Sequence, residues 1–388
     1  MKTKRIFLMV MDSFGIGGAK DAARFGDEGC DTLQSLIRAE GFSAPTLGRL
    51  GLFHINGVDR RLAESEPIGA YARVCEQSEG KDSTIGHWEL AGIRSEEPLP
   101  TYPCGFPDDI VKEFERRTGR KVLCNQAYSG TEVIKDYAAE QKETGGLIVY
   151  TSVDSVMQIA AHTDVIPLEE LYRCCEIARE MLSGEHCVGR VIARPFTGEY
   201  PYRRTADRHD YSAVPPKTTV LDLLKEHGLE TIAVGKINDI FAGVGISDAI
   251  RTKSNEDGMN VMTSLLERDF RGLCFVNFVD FDTVFGHRRN IAGYAEAVMC
   301  LDRWLAGFIR GLRDDDILMI TADHGCDPAY TGTDHTRENV PLLAYGKQIK
   351  PVNIGVRESF SDIAATVADL FDVPYALNGE SFKEVMIK

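Results

Sequence analysis

The sequence predicts an α/β protein: a doubly wound, mostly parallel sheet with an inserted α+β segment. Three observations carry that expectation. Short continuous apolar runs, as expected of strands buried on both faces, recur along the chain. Amphipathic helical stretches alternate with them. A region bounded by prolines, from about residue 98 to residue 215, interrupts the pattern.

The first run is Ile6-Phe7-Leu8-Met9-Val10-Met11, and it ends in the glycine-rich turn Asp12-Ser13-Phe14-Gly15-Ile16-Gly17-Gly18. The same design recurs twice. Residues 273–279 run into Asp280-Phe281-Asp282, and residues 316–321 run into Asp323-His324-Gly325. Between these two, residues 293–309 read as an amphipathic helix, with Ala297, Leu301, Leu305 and Phe308 at helical spacing. Residues 231–235 read as a further strand after a helix over 220–227, and Ser361 is placed to N-cap a last helix through Leu370. In such sheets functional groups collect at the carboxyl ends of strands, where Asp12, Asp282 and Asp323 fall.

The insert opens with Pro98, Pro100, Pro103 and Pro107 and closes with Pro215-Pro216. It reads as helices over 108–117 and 168–182 and strands over 121–124, 146–150 and 189–193. The expected organisation is a core of residues 1–97 and 216–388 with a cap of residues 98–215. A chain of 388 residues is long enough for two such cores.

Composition narrows the function classes. The net charge is −15, which argues against nucleic acid or an anionic membrane as the main partner. An anionic small molecule stays open, because a metal or a local basic pocket overrides the net field. The ten cysteines include no C-x-x-C pair and read as reduced thiols, as in the cytoplasm. The apolar run at 6–11 is too short for a signal sequence, and no stretch is long enough to span a bilayer.

Six residues carry the chemical reading: Asp12, Asp282, His287, Asp323, His324 and His335. Carboxylate and imidazole without thiolate suit Mn²⁺, Zn²⁺ or similar ions rather than a structural zinc site. Six ligands are too many for one tetrahedral ion but suit a pair of ions that clamps a phosphoryl group. A second signal is Gly80-Lys81-Asp82-Ser83-Thr84-Ile85-Gly86-His87-Trp88-Glu89. Hydroxyls at the start of a helix-like run face free backbone N–H groups, which favours a bound phosphate. A metal can make such a hydroxyl a nucleophile. On composition alone, a plain Ser/Thr N-cap is the competing reading.

These motifs, in this order, resemble the prokaryotic phosphopentomutase family of the alkaline phosphatase superfamily. The resemblance rests on residues 10–17, Gly80-Lys81-Asp82 with Gly86-His87-Trp88-Glu89, Val279-Asp280-Phe281-Asp282 with Phe285-Gly286-His287-Arg288-Arg289, residues 321–325 and residues 332–338. It implies an alkaline-phosphatase-like core with two Mn²⁺ ions, one held by Asp12, Asp323 and His324, the other by Asp282, His287 and His335. It implies interconversion of ribose 1-phosphate and ribose 5-phosphate, and of the 2-deoxyribose pair, through a phosphoenzyme and a pentose bisphosphate. It also implies that a sugar bisphosphate such as glucose 1,6-bisphosphate primes the enzyme.

The nucleophile position falls on Ser83, with Thr84 beside it. The family members usually have threonine there, and related phosphoglycerate mutases have serine. By resemblance Ser152, Asp154, Arg190, Arg204 and Lys236 hold the sugar phosphate, and arginine forks suit the non-reacting phosphate. Asp334 is left to orient its neighbour. Cys326 stands where the resemblance implies asparagine. A phosphatase or phosphodiesterase of the same superfamily would use the same metals. The cap favours a mutase, which must keep water from its phosphoenzyme. A phosphoglycerate mutase would be longer with a bigger insert, and a non-catalytic metal-binding protein would not need the hydroxyls.

Overall fold

The computed structural model describes residues 3–63, 66–152, 154–332 and 334–388, so Met1, Lys2, Val153 and Thr333 of the segments above lie outside it. The chain divides into two compact units, residues 1–98 with 215–388, and residues 99–214.

The first unit is built on an eight-stranded sheet. Its order is Asp248–Ile250, Glu230–Val234, Gly272–Phe278, Arg5–Met11, Asp316–Thr321, Val340–Tyr345, Ala70–Val74 and Val352–Arg357. Neighbours are parallel except for the two pairings made by Val340–Tyr345, which runs against the rest. Helices Asn255–Glu267 and Ile291–Arg310 pack with Thr32–Ile37 and Pro45–Leu50 on one face. Ser83–Leu90, Val220–Glu226, Ile237–Ile240 and Ser361–Leu370 cover the other.

The alternation of strand side chains explains why the central runs are apolar throughout. Phe7 and its register partner Cys274 point to one face, where Phe7 meets Phe308 edge-on and Cys274 meets Met262. Phe275, one residue on, points to the opposite face and packs near Phe241 and His87. All seven residues of Arg5–Met11 are buried, as are all seven of Gly272–Phe278.

The helix over 293–309 is longer than its apolar pattern suggested. It spans Ile291–Arg310, and Asn290 caps it by accepting a hydrogen bond from Gly293 N. Its buried Asp302 accepts from Thr46 N (3.1 Å) and Leu47 N (2.7 Å), capping from outside a helix whose own N-cap, Ala44, has no acceptor. Ser361 is not a cap: Phe360 holds that position, and Ser361 Oγ donates to Glu89 O at 3.0 Å.

The second unit has its own sheet, in the order Val122–Ala127, Leu147–Thr151, Val156–His162, Arg190–Thr197, Arg203–Arg204. His209–Ser212 also pairs with Arg190–Thr197. Helices Asp108–Thr118 and Leu168–Met181 pack on the face carrying Leu147, Val149, Ile159 and Val191. Helix Glu132–Thr144 packs on the other, against Ile148, Tyr150, Ala160 and Phe196. This helix and strand Val156–His162 were not read from the sequence as elements. Val133, Ile134, Ala138 and Gln141 are the helix's buried stripe.

One ion pair locks the core strands at the end away from their acids. Arg5 and Asp316 are register partners, both 0% exposed, and join through Nε–Oδ1 at 2.7 Å and Nη2–Oδ2 at 2.6 Å. Arg5 Nη1 also donates to the carbonyls of Leu265, Leu266 and Arg268. Removing one member leaves the other charge buried and uncompensated. Asp316→Ala should therefore destabilise the protein by about 3–5 kcal/mol in urea unfolding, and the paired change Arg5→Met with Asp316→Leu should recover most of that loss.

Candidate active site

Register brings the acids together. Arg5–Met11 lies between Gly272–Phe278 and Asp316–Thr321, with Met11 opposite Phe278 and Val10 opposite Thr321, so the three strands end level. Asp12 follows the first strand directly, and Asp323 follows the third after Ala322. Asp282 is placed differently from the strand-end position read from the sequence. It sits in a one-turn π-helix, Phe281–Gly286, closed by His287 N donating to Asp282 O at 3.1 Å. In an α-helix two residues five apart would point about 140° away from each other. The wider turn instead puts His287 Nε2 3.4 Å from Asp282 Oδ2.

The six side chains converge. His324 Nε2 is 3.4 Å from Asp12 Oδ1 and 3.2 Å from Asp323 Oδ2. His335 Nε2 is 3.4 Å from Asp282 Oδ1 and 3.0 Å from His287 Nε2. Candidate ligand atoms cluster within 4.8 Å as Asp12, Asp323 and His324, as Asp282, His324 and His335, and as Asp282, His287 and Cys326. All three acids are at most 4% exposed.

The donor set fits cations on its own geometry. One oxygen of each acid is buried without a hydrogen-bond partner: Asp12 Oδ1, Asp282 Oδ1 and Asp323 Oδ2. For two of the acids the other oxygen is tied. Asn277 Nδ2 donates to Asp12 Oδ2 (2.8 Å), and Ser13 N donates to Asp323 Oδ1 (3.0 Å). Ser13 achieves this with a left-handed φ of 69°, a strained setting for a serine that aims its N–H at the site. His324 Nδ1 lies 3.0 Å from Gly325 O and donates to it, which turns Nε2 toward the acids.

Crowding shows in the proton affinities. Burial, then the carboxylates of Asp323 and Asp282, push the Asp12 carboxyl up to about 7. Burial also works upward on Asp323, but the imidazoles of His324 and His87 outweigh it and hold that carboxyl low. Burial alone would lower His324, but the Asp323 carboxylate, then Asp12 and Asp282, raise it well above its ordinary value. Divalent cations are the natural counter-charge for such a set.

Ser83 joins the cluster. Its Oγ lies 3.1 Å from His324 Nε2. It is the first residue of helix Ser83–Leu90, not its cap. Asp82 is the cap and accepts from Thr84 N and Ile85 N. Thr84 is 8% exposed, and its N–H serves that cap. The helix can approach because residue 86 is glycine: a Cβ there would lie 2.0 Å from Asp323 O. One turn on, His87 Nδ1 sits 3.1 Å from Asp323 Oδ2 and 2.7 Å from Ser83 O.

Several residues that the sequence reading left without a role hold these loops. Arg337, 2% exposed, donates to Glu76 Oε2, Ser78 O and Gly80 O through Nη1, and pairs with Asp21. Glu89, 0% exposed, accepts from Gln77 N, Ser78 N and Phe360 N, clamping the same loop from the other side. Glu338 accepts from Gly17 N, Thr32 N and the Thr32 and Thr336 hydroxyls. Asp334, which the sequence reading gave the task of orienting its neighbour, accepts from His335 N and sits 3.5 Å from Lys81 Nζ. Cys326 packs against Gly286 of the π-turn, where a Cβ would lie 3.0 Å from its Sγ. Buried charge of this kind, with no apolar pattern around it, was the available signal.

The remaining site candidates are spread over both units. Ser152 and Asp154 lie between strands Leu147–Thr151 and Val156–His162, with Asp154 N donating to Ser152 Oγ. Arg190 starts the next strand opposite Val156 and is 3.7 Å from Asp210. Arg204 is not beside Arg190 in the sheet; it pairs with Phe196, at the far end of that strand. Lys236, in the first unit, is near enough to Asp12 to draw its carboxyl downward.

A family model described as the metalloenzyme superfamily matches residues 4–375. The chain is 56% identical to a phosphopentomutase of Lachnoclostridium phytofermentans over 388 residues, covering 99% of this chain and 100% of that protein. It is 49% identical to a phosphopentomutase of Clostridium novyi over 387 residues, covering 99% of each. A solved structure of a Pyrococcus horikoshii protein aligns over 98% of this chain and 100% of that one at 15% identity, with a TM-score of 0.51, a likeness of fold. The fold class is alkaline-phosphatase-like. With relatives of this identity running its whole length, the chain belongs to the phosphopentomutase family of the metalloenzyme superfamily.

Proposed function

We propose that this chain is a phosphopentomutase that interconverts ribose 1-phosphate and ribose 5-phosphate, and the 2-deoxyribose pair. The observation that carries the reading is Ser83 Oγ held 3.1 Å from His324 Nε2, at a pocket of three buried carboxylates with unpartnered oxygens. Two Mn²⁺ ions suit this donor set, one on Asp12, Asp323 and His324, the other on Asp282, His287 and His335. Bound there, they would lower the pKa of the Ser83 hydroxyl and offset charge on a phosphoryl group.

Ser83 carries the phosphoryl group, loaded from a sugar bisphosphate such as glucose 1,6-bisphosphate. A free hydroxyl of the pentose phosphate attacks that phosphorus. The Oγ–P bond breaks as the sugar O–P bond forms, and Oγ takes up the proton that the sugar hydroxyl gives up. The pentose bisphosphate turns round. Ser83 Oγ then attacks its other phosphorus, releasing the isomeric monophosphate and restoring the phosphoserine. His87 and Asp82 fix the helix start so that Oγ stays aimed. Sugar-phosphate binding is assigned to Ser152, Asp154, Arg190 and Arg204 of the second unit, with Lys236 of the first supplying a cation near Asp12. All ten cysteines are free, which suits the reducing cytoplasm, and among the described residues no helix is long and apolar enough to cross a membrane.

A coupled assay with Mn²⁺ and glucose 1,6-bisphosphate should convert ribose 1-phosphate to ribose 5-phosphate. Release of free phosphate without ribose 5-phosphate would mark a hydrolase instead. Ser83→Ala should lower kcat by about 1,000-fold or more and gain no phosphate mass on priming, whereas Thr84→Ala should still gain it.

Metal removal gives a second check. The Asp12 carboxyl titrates at about 7 in the folded chain against an ordinary 3.8, so in the metal-free protein it stays protonated through mildly acid pH. Above that it ionises beside Asp323 and Asp282, and stability falls. Chelation should therefore lower Tm more at about pH 8 than at about pH 6, and Mn²⁺ should restore it.

A further inference from the structure

A buried cysteine is usually a small packing residue, and Cys174 and Cys175 are that, set in an apolar cluster of the second unit. Cys326 has different surroundings. It is 2% exposed, and its backbone N donates at 3.1 Å to the carbonyl of Ser13, the residue whose own N–H holds Asp323. Gly325, just before it, forms an antiparallel bridge with Thr336. The side chains on either side of an extended residue project the same way, so Cys326 shares a side with His324.

Its sulfur lies against the turn that carries two candidate ligands. A Cβ on Gly286 would meet Cys326 Sγ at 3.0 Å, so the π-turn Phe281–Gly286 closes directly onto the thiol. A carboxylate oxygen of Asp282, a ring nitrogen of His287 and Cys326 Sγ all lie within 4.8 Å of one another. Asp282 is 4% exposed and its Oδ1 has no hydrogen-bond partner, an open donor of electrons at that spot. The thiol makes a long contact of 3.7 Å with Asp334 O, as a weak hydrogen-bond donor. Ligand atoms around a tetrahedral zinc are about 3.3–3.8 Å apart, so the three close on an ion with shifts of about 1 Å.

We infer that Cys326 is a ligand for thiophilic divalent cations: Zn²⁺ binds to Asp282, His287 and the Cys326 thiolate, whereas Mn²⁺ leaves the sulfur unbound. Mn²⁺ favours oxygen and imidazole, and the softer Zn²⁺ gains from sulfur. On binding, the metal–sulfur bond replaces the S–H bond and the proton leaves to water. A thiolate drawn into this position takes a place on the ion that a phosphoryl oxygen would use. Zn²⁺ would then occupy the site and stop turnover. The inference rests on the metal reading of Asp282 and His287, and not on the mutase chemistry.

The full-length chain exchanged into Co²⁺, a spectroscopic stand-in for Zn²⁺, should show a sulfur-to-cobalt charge-transfer band in the near ultraviolet. Carboxylate and imidazole ligands give no such band. The chain has other free thiols, so the readout is the difference from Cys326→Ser, which should lose the band. Cys326→Ser should weaken Zn²⁺ binding about tenfold in competition with a chromophoric chelator, and leave Mn²⁺ binding within about twofold. Zn²⁺ added to the Mn²⁺-loaded chain should inhibit the parent at a concentration about tenfold lower than the variant. Zinc-edge X-ray absorption of the unmutated chain should find sulfur at about 2.3 Å, a check that does not depend on the variant folding. An unchanged band with unchanged Zn²⁺ affinity in Cys326→Ser, or a zinc shell of nitrogen and oxygen alone, would overturn the ligand. A Cys326-dependent band in a chain without mutase turnover would keep the ligand and sink the mutase reading instead.

Discussion

Three carboxylates packed side by side out of water set the terms for the core. Asp12, Asp282 and Asp323 would repel one another in any arrangement without cations, and Asp12 shows the strain by holding its proton to about 7. The fold tolerates them because two are tied from behind, Asp12 by Asn277 and Asp323 by Ser13 N, while the π-turn sets Asp282 beside His287. Tying one carboxylate oxygen and leaving the other open is how a protein pre-orients a ligand before any ion arrives. The histidines follow the same logic, with His324 Nδ1 spent on Gly325 O so that Nε2 faces inward.

Around this centre the loops are held by buried charge rather than apolar packing. Arg337 and Glu89 grip residues 76–80 from two sides, which fixes the approach to Ser83. Glu338 ties the loop after Asp12 to helix Thr32–Ile37. The reversed strand Val340–Tyr345 matters here. Because it runs back from the site, the connection between it and Asp316–Thr321 stays at the strand ends and delivers Asp323, His324, His335, Arg337 and Glu338 in one excursion.

Much of this is legible in the sequence, for stated reasons. Runs such as 6–11 and 317–320 are continuously apolar because both faces of the sheet are covered, and the polar residues that follow each run mark the site edge. Asp12, Asp323 and His324 could be read that way. Asp282 with His287 could be read as a pair but not placed, since their geometry depends on a π-turn with no compositional mark. The strands Ala70–Val74 and Val352–Arg357 were missed because they lie toward the sheet edge, where the first alternates buried with half-buried residues and the second has no buried residue. Helix Glu132–Thr144 was missed because its stripe is short and flanked by charge. Arg337, Glu338 and Glu89 each also make a contact across more than 250 residues, which no local pattern encodes.

The place of Arg5–Met11 in the sheet has a consequence for how the chain comes into being. Arg5–Met11 is a central strand, and both of its partners, Gly272–Phe278 and Asp316–Thr321, are made more than 250 residues after it. At about 5–20 residues per second, that run of apolar backbone waits for tens of seconds with neither edge paired. Arg5, bound for a fully buried ion pair with Asp316, stays in water until the last quarter of the chain exists. Asp12 cannot meet Asp323 or His324 before then either. The acid cluster therefore assembles only once the stretch that carries Asp323, His324 and His335 has been made.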